Sequence, residues 1–244
     1  MEWSPELMKK LEALRAKIED TGQDFETYVN GWQLQRFQNY WDYIQLDTLL
    51  SLQRPLTQVE DEPIFIIYHQ ITELYFKLAR IEIDAIAKNE ANAVADFTER
   101  VHRINRYFGA LRGSFGVMEL GMKKEEFLAF RDALAPASGF QSVQYRIIEL
   151  GCAPLIHIVS EDRREELNDA SIEAQMEGIY WKNGATREDN GKPAYTATQF
   201  MEKYWDDLLF AAEAYEHCNI WVRFEQLREK ASEQERFQLE DALR

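Results

Sequence analysis

The chain has 244 residues, of which 45% are hydrophobic and 13% aromatic, so it can bury a sizeable core, while its eleven glycines and six prolines are too few for a turn-rich β protein. Forty-three acidic against 28 basic residues leave a formal net charge of −15, a field that repels phosphate backbones, and no basic cluster interrupts it, so nucleic acid is not an expected partner. Two cysteines, Cys152 and Cys218, do not make a disulfide framework and fit a reducing compartment.

In chain order, the opening residues Met1-Glu2-Trp3-Ser4-Pro5 carry neither the basic nor the apolar block of a signal peptide, and the expected location is cytoplasmic. A helix is predicted near residues 5–20, followed by a Gln-rich and aromatic-rich segment to Leu56; residues 1–60 together read as an amino-terminal arm. Glu62-Pro63 opens the next helix, with proline in its first turn, and the pattern runs to about Lys88 through Phe65, His69, Leu74, Leu78 and Ile81. Val94, Phe97, Val101, Ile104, Phe108 and Leu111 draw one apolar stripe at steps of three and four. A short helix over 124–135 ends at Ala135-Pro136, a turn follows at 137–140, and another helix covers 141–150. Residues 183–196 form the most loop-like stretch, with Asn183-Gly184 and Asp189-Asn190-Gly191. From Thr198 to about Lys230 the sequence reads as one long helix with a charged end that frays or projects. No run approaches the roughly 20 apolar residues of a membrane span. The expected fold is all-α: a single helical-bundle domain over 61–244 preceded by the arm.

Chemistry centres on four histidines and one arginine. Phe210, Ala214, His217, Trp221 and Phe224 fall on one face of the predicted last helix, and the small Ala211 and Ala212 make it shallow. That surface suits a flat porphyrin with an axial imidazole, but taken alone the helix reads first as carrying a core histidine bonded to a carbonyl. His69 stands one turn after Phe65, where it either bonds a ligand or is satisfied in the core. His102 reads as a core-edge residue and His157 as buried structure. Arg131 shares a helix face with Phe127; in apolar surroundings its guanidinium needs an anion, either a ligand carboxylate or one of the chain's own acids. One Glu-x-x-His motif, Glu99 to His102, falls short of the two that a di-iron carboxylate bundle requires.

Three blocks resemble the tryptophan 2,3-dioxygenase family, in that family's order. They are Tyr40-Trp41-Asp42-Tyr43-Ile44-Gln45-Leu46-Asp47 with Gln53-Arg54-Pro55-Leu56; Phe65-Ile66-Ile67-Tyr68-His69-Gln70 with Glu73-Leu74-Tyr75-Phe76-Lys77-Leu78; and Phe127-Leu128-Ala129-Phe130-Arg131 with Ser138-Gly139-Phe140-Gln141-Ser142 and Gln144-Tyr145-Arg146. They cover about residues 40–150. The resemblance implies an all-α haem b protein that assembles as a homotetramer or dimer and inserts dioxygen into an indole, L-tryptophan or a derivative, giving an N-formylkynurenine-type product. Relatives that hydroxylate an indole or tyrosine with one oxygen atom form the alternative, and a non-catalytic haem-binding protein a further one.

By position, the resemblance implies Phe65 beside the indole ring, His69 on the distal side at the indole nitrogen, and Arg131 at the substrate carboxylate. Phe127 stands where the family has a tyrosine. Ser138 and Gly139 match a loop over the distal haem face, and Tyr40 and Tyr43 match arm tyrosines that complete a neighbouring subunit's pocket. Tyr215-Glu216-His217 with Arg223 fits the proximal pattern, with Trp221 in place of its valine; aligning on Trp221 instead puts Glu225 at the ligand position. The Gly/Thr-rich loop that closes over the amino-acid end in the family is missing after Arg223.

Overall fold

The computed structural model describes residues 3–34, 39–88, 93–134, 141–184 and 195–243. It has two compact units, 1–53 and 54–244. The first holds α1 (Pro5–Glu19), α2 (Phe25–Leu34), α3 (Tyr40–Tyr43) and α4 (Leu46–Leu50). Ser4 starts α1 by accepting the amide of Leu7, with Pro5 at its first position, where no N–H is needed.

The second unit holds α5 (Glu62–Lys88), α6 (Val94–Ser114), α7 (Gly116–Glu119), α8 (Lys124–Leu134), α9 (Val143–Cys152), α10 (Arg164–Leu167), α11 (Ile172–Glu177), α12 (Tyr180–Gly184), α13 (Tyr195–Tyr215), α14 (Ile220–Lys230) and α15 (Glu233–Ala242). Among the described residues there is no strand, only an isolated bridge between Val159 and Ile179, so the all-α expectation holds. None of the described helices is long and apolar enough to cross a membrane. The first residues of this unit are tied to α5: buried Glu62 accepts the amides of Leu56 and Thr57 at 2.6 and 2.7 Å.

The core lies between α5, α6, α9, α13, α14 and α15. α5 and α9 cross so closely at Gly151 that an added Cβ would sit 2.5 Å from Ile83. The α6 stripe is buried at Val94, Phe97, Val101 and Ile104, and Phe108 packs against the same cluster. Glu82, 6% exposed, pairs with Arg100 and Arg103, fixing α6 to α5.

Four expectations are corrected. The helix predicted from Thr198 to Lys230 is two, α13 and α14, broken at 216–219, because Asn219 turns extended and caps α14 by accepting the amide of Val222. The charged end neither frays nor projects: a Ser232–Glu235 capping box starts α15, and its Leu239 and Ala242 are buried in the core. The apolar face of α13 is Leu208, Ala211, Ala212 and Tyr215, whereas Phe210 is 72% exposed. His157 is exposed in a short 3-10 turn rather than buried.

Candidate active site

The start of α5 is fixed from two directions before any candidate residue appears. Burial pushes the Glu62 carboxyl up, but the Thr57 hydroxyl and the amides of Leu56 and Thr57 outweigh it and hold it below its ordinary value. Asp61 accepts the amide of Lys123, and Glu126 accepts the amide of Asp61, which brings α8 to the first turn of α5.

On that anchored turn, His69 Nδ1 lies 2.8 Å from the carbonyl oxygen of Phe65. A carbonyl only accepts, so Nδ1 carries a proton, and in the neutral form of the ring Nε2 is the acceptor. The Phe65 and His69 rings are 4.1 Å apart at 34°. Phe127 and Phe130 of α8 close on Phe65 at 6.3 and 5.7 Å, and Phe130 is fully buried. Phe65, His69 and Phe127 are therefore brought together.

Phe65 and His69 line a cavity of about 560 Å³ with Thr72, Phe76, Leu134 and Tyr145. Its polar edge was missed in sequence: Glu73, Gln141, Ser142 and Arg146 also line it. Glu73 and Phe76 follow His69 by one and two turns, so helical spacing carried the signal. α9 is brought in by Ser142, which caps it at Tyr145, and by Gln144, which donates to both the carbonyl and the carboxylate of Glu73 at 2.9 Å. Arg146, 7% exposed, donates to Glu149 and to the Tyr180 hydroxyl and lies 4.9 Å from the Tyr145 ring centre. Burial raises the Glu149 carboxyl against the bonds from Tyr180 and Arg146. The cavity thus has aromatic walls, one imidazole acceptor and a polar edge, which suits a flat aromatic ligand bearing an N–H.

Arg131 is one turn beyond Phe127 and solvent-exposed, not enclosed by apolar neighbours. No burial penalty therefore demands an internal anion, and it makes no ion pair among the described residues. Tyr40 and Tyr43 are 71% and 76% exposed in the first unit. Ser138 and Gly139 lie outside the described residues.

His217 is not brought to this cavity. It lies in the turn between α13 and α14 with its side chain 86% exposed, 3.3 Å from Glu216. That turn is held at the far end of α5: Tyr215 donates its hydroxyl to Asp84, and Arg223 donates to the Ala87 carbonyl at 2.8 Å. From His69 to Asp84 the helix rises about 22 Å. His69 therefore belongs to the cavity near the start of α5, and His217 to an exposed turn beside the end of that helix. His102 lines a separate hollow with Phe237, and His157 bonds through its carbonyl to Arg164. The cavity fits a flat aromatic group, and His217 is not among the residues that line it.

The tryptophan 2,3-dioxygenase family model matches residues 27–168, more than half of the chain, with Phe65, His69, Phe127 and Arg131 inside the match and His217 outside it. A tryptophan 2,3-dioxygenase of a Bradyrhizobium species is 45% identical over 115 residues, 46% of this chain and 40% of that protein. The tryptophan 2,3-dioxygenase of Bradyrhizobium diazoefficiens is 38% identical over 135 residues, 53% and 47% of the two chains, and that of Xenopus tropicalis 33% over 159 residues, 57% and 39%. The chain spans less than half the length of these relatives. The extended match across the helices that build the cavity decides the matter: this chain belongs to the tryptophan 2,3-dioxygenase family.

Proposed function

We propose that the chain is an oxygenase of the tryptophan 2,3-dioxygenase type that takes an indole-bearing acid, L-tryptophan or a derivative, into the cavity between α5, α8 and α9. The observation that carries this reading is the His69 tautomer: with Nδ1 committed to Phe65, Nε2 is an acceptor for an indole N–H, beside a ring on which the indole stacks. Arg131, exposed and one turn from Phe127, meets the ligand carboxylate with its planar fork. Haem b is the cofactor of this chemistry, and when bound it supplies dioxygen activation. His69 holds the indole N–H in register, the phenylalanines exclude water, and Arg131 orients the acid. Ser138 and Gly139 are proposed to cover the distal side, and Tyr40 and Tyr43 to complete the cavity of another subunit in a cytoplasmic homotetramer or dimer.

A second reading, an aromatic-acid-binding protein without oxygenase turnover, is favoured by the exposed place of His217 in a turn outside the cavity. One experiment separates the two: spectra of the reduced protein with and without dioxygen and L-tryptophan, with calorimetry of L-tryptophan binding alongside. A Soret band and an N-formylkynurenine-type product support the oxygenase, whereas binding without either supports the second reading. Absence of any indole-acid binding overturns both. His217→Ala is expected to leave ligand affinity unchanged.

A further inference from the structure

Helix α5 carries a second organised face. Ile67, Ile71, Leu74, Leu78 and Ile81 are 43, 41, 50, 41 and 54% exposed and recur at steps of four, three, four and three. Ile64, half-buried, extends the row by another step of three. This is the a/d spacing of a coiled-coil seam, filled only by isoleucine and leucine. Single exposed aliphatics are ordinary on a monomer, but a continuous row along one helix marks a contact surface. Phe65, His69 and Phe76 line the cavity from other positions on the helix, so a partner on the seam leaves the cavity accessible.

We propose that this seam is a self-association surface on which α5 of one copy packs antiparallel against α5 of a second copy. The proposal rests on the reading of the chain as an oligomer and names the face that makes it one. Two observations favour a second copy over another partner. First, the row is self-complementary: a two-fold axis at the level of Ile71 and Leu74 sets each a position against a d position of the other chain. Second, a net charge of −15 opposes contact between copies over most of the surface, yet this stretch is poor in acid. Glu73 is the one carboxylate between residues 64 and 81, and it is bonded to Gln144 of the same chain. In that register Lys77 falls beside Gln70 and Tyr75 beside Tyr68, so no like charges are opposed. A basic partner would require an acidic rim that the seam does not have. Beside it, the end of α6 is fastened by Ser114 to Tyr68, and the segment that follows exposes Val117 of α7 and Leu120 at 46% and 85%, enlarging the apolar surface.

The test is sedimentation of the full chain, wild type beside Leu74→Glu/Leu78→Glu, with Phe237→Glu as a control at an exposed aromatic elsewhere. The double variant is expected to lose at least one step of assembly with an unchanged helical circular dichroism, while the control keeps the wild-type mass. A folded double variant of wild-type mass overturns the seam and leaves the oligomer reading standing, whereas a monomeric wild type overturns both. Should the double variant fail to fold, Leu74→Cys in a Cys218→Ser background replaces it: a short thiol cross-linker is expected to join two chains there and not at Phe237→Cys. An oligomer that does not cross-link at residue 74 also overturns the proposal.

Discussion

The imidazole of His69 and the carbonyl of Phe65 are bonded at 2.8 Å across one turn of α5, and this contact decides which ring nitrogen faces the cavity. Because the carbonyl cannot donate, the proton sits on Nδ1 and the cavity receives an acceptor. A ligand with an indole N–H is therefore expected to bind more tightly than its N1-methylated analogue. A neutral hydrogen bond contributes about 0.5–1.5 kcal/mol, so the preference is roughly three- to tenfold. His69→Phe is expected to abolish the preference while keeping a stacking surface, and calorimetry with the analogue pair reads it. Equal affinities of the two analogues for the wild type would sink the assignment.

Arg131 is predicted to select acids over neutral indoles. Charge-assisted hydrogen bonds contribute about 1.5–3 kcal/mol, and exposure with salt screening puts this one at the lower end, about tenfold in affinity. Arg131→Leu removes the preference, and a lysine falls between because it keeps the charge but not the fork. The preference is also expected to weaken as salt is raised. A neutral indole that binds as tightly as its acid would leave the arginine without a ligand role.

Glu62 anchors the chain entering α5, and its carboxyl is held below its ordinary value of 4.5 although burial alone would raise it. A carboxyl depressed by folding contributes stability that is full above its unfolded pKa and is lost as pH falls through the folded one. Glu62→Gln is thus predicted to lower Tm by a few degrees at neutral pH. The gap to wild type should narrow below pH 4.5, where the wild-type carboxylate also takes up its proton. Parallel melting curves across pH measure this, and a gap that persists undiminished at pH 3 would point to packing rather than charge.

The part of the site legible in sequence was local. Phe65, His69 and Phe127 sit on strongly periodic helices, and helical spacing alone placed each on a common face with its neighbours. Glu62-Pro63 marked the start of α5 correctly because proline at a first turn and an acid beside it have one physical reading. What failed depended on tertiary packing. The stripe through Phe210, Ala214, His217 and Trp221 failed twice: within α13 Phe210 and Ala214 lie on the exposed face, and Asn219 then ends the helix's run before Trp221. Arg131 was read as enclosed because its sequence neighbours are apolar, yet Phe130 is buried while Leu128 and Arg131 itself are exposed. Arg146 and Glu73 depend on how α9 lies on α5, information that periodicity along one helix does not contain.

Asn219 makes that break, and the last prediction concerns it. The residue is 1% exposed; its Oδ1 accepts the Val222 amide at 3.0 Å, and its Nδ2 donates to the Tyr215 carbonyl at 3.1 Å. One side chain thus caps the first turn of α14, which a helix start leaves without a partner, and reinforces the last carbonyl of α13, which also accepts the amides of Cys218 and Asn219. Loss of an asparagine cap costs about 0.5–2 kcal/mol, and the near-complete burial of this one puts Asn219→Ala at the upper end. For a domain of this size that is a drop in Tm of about 4–8 °C. Asn219→Asp keeps the capping oxygen and loses the donor to Tyr215, so it is expected to fall between the two. Scanning calorimetry ranks the three proteins. If Asn219→Ala instead melts at the wild-type temperature with higher helical content, residues 195–230 are able to run on as one helix. His217 would then return to the face of Phe210 and Ala214, and its claim as an iron ligand would reopen.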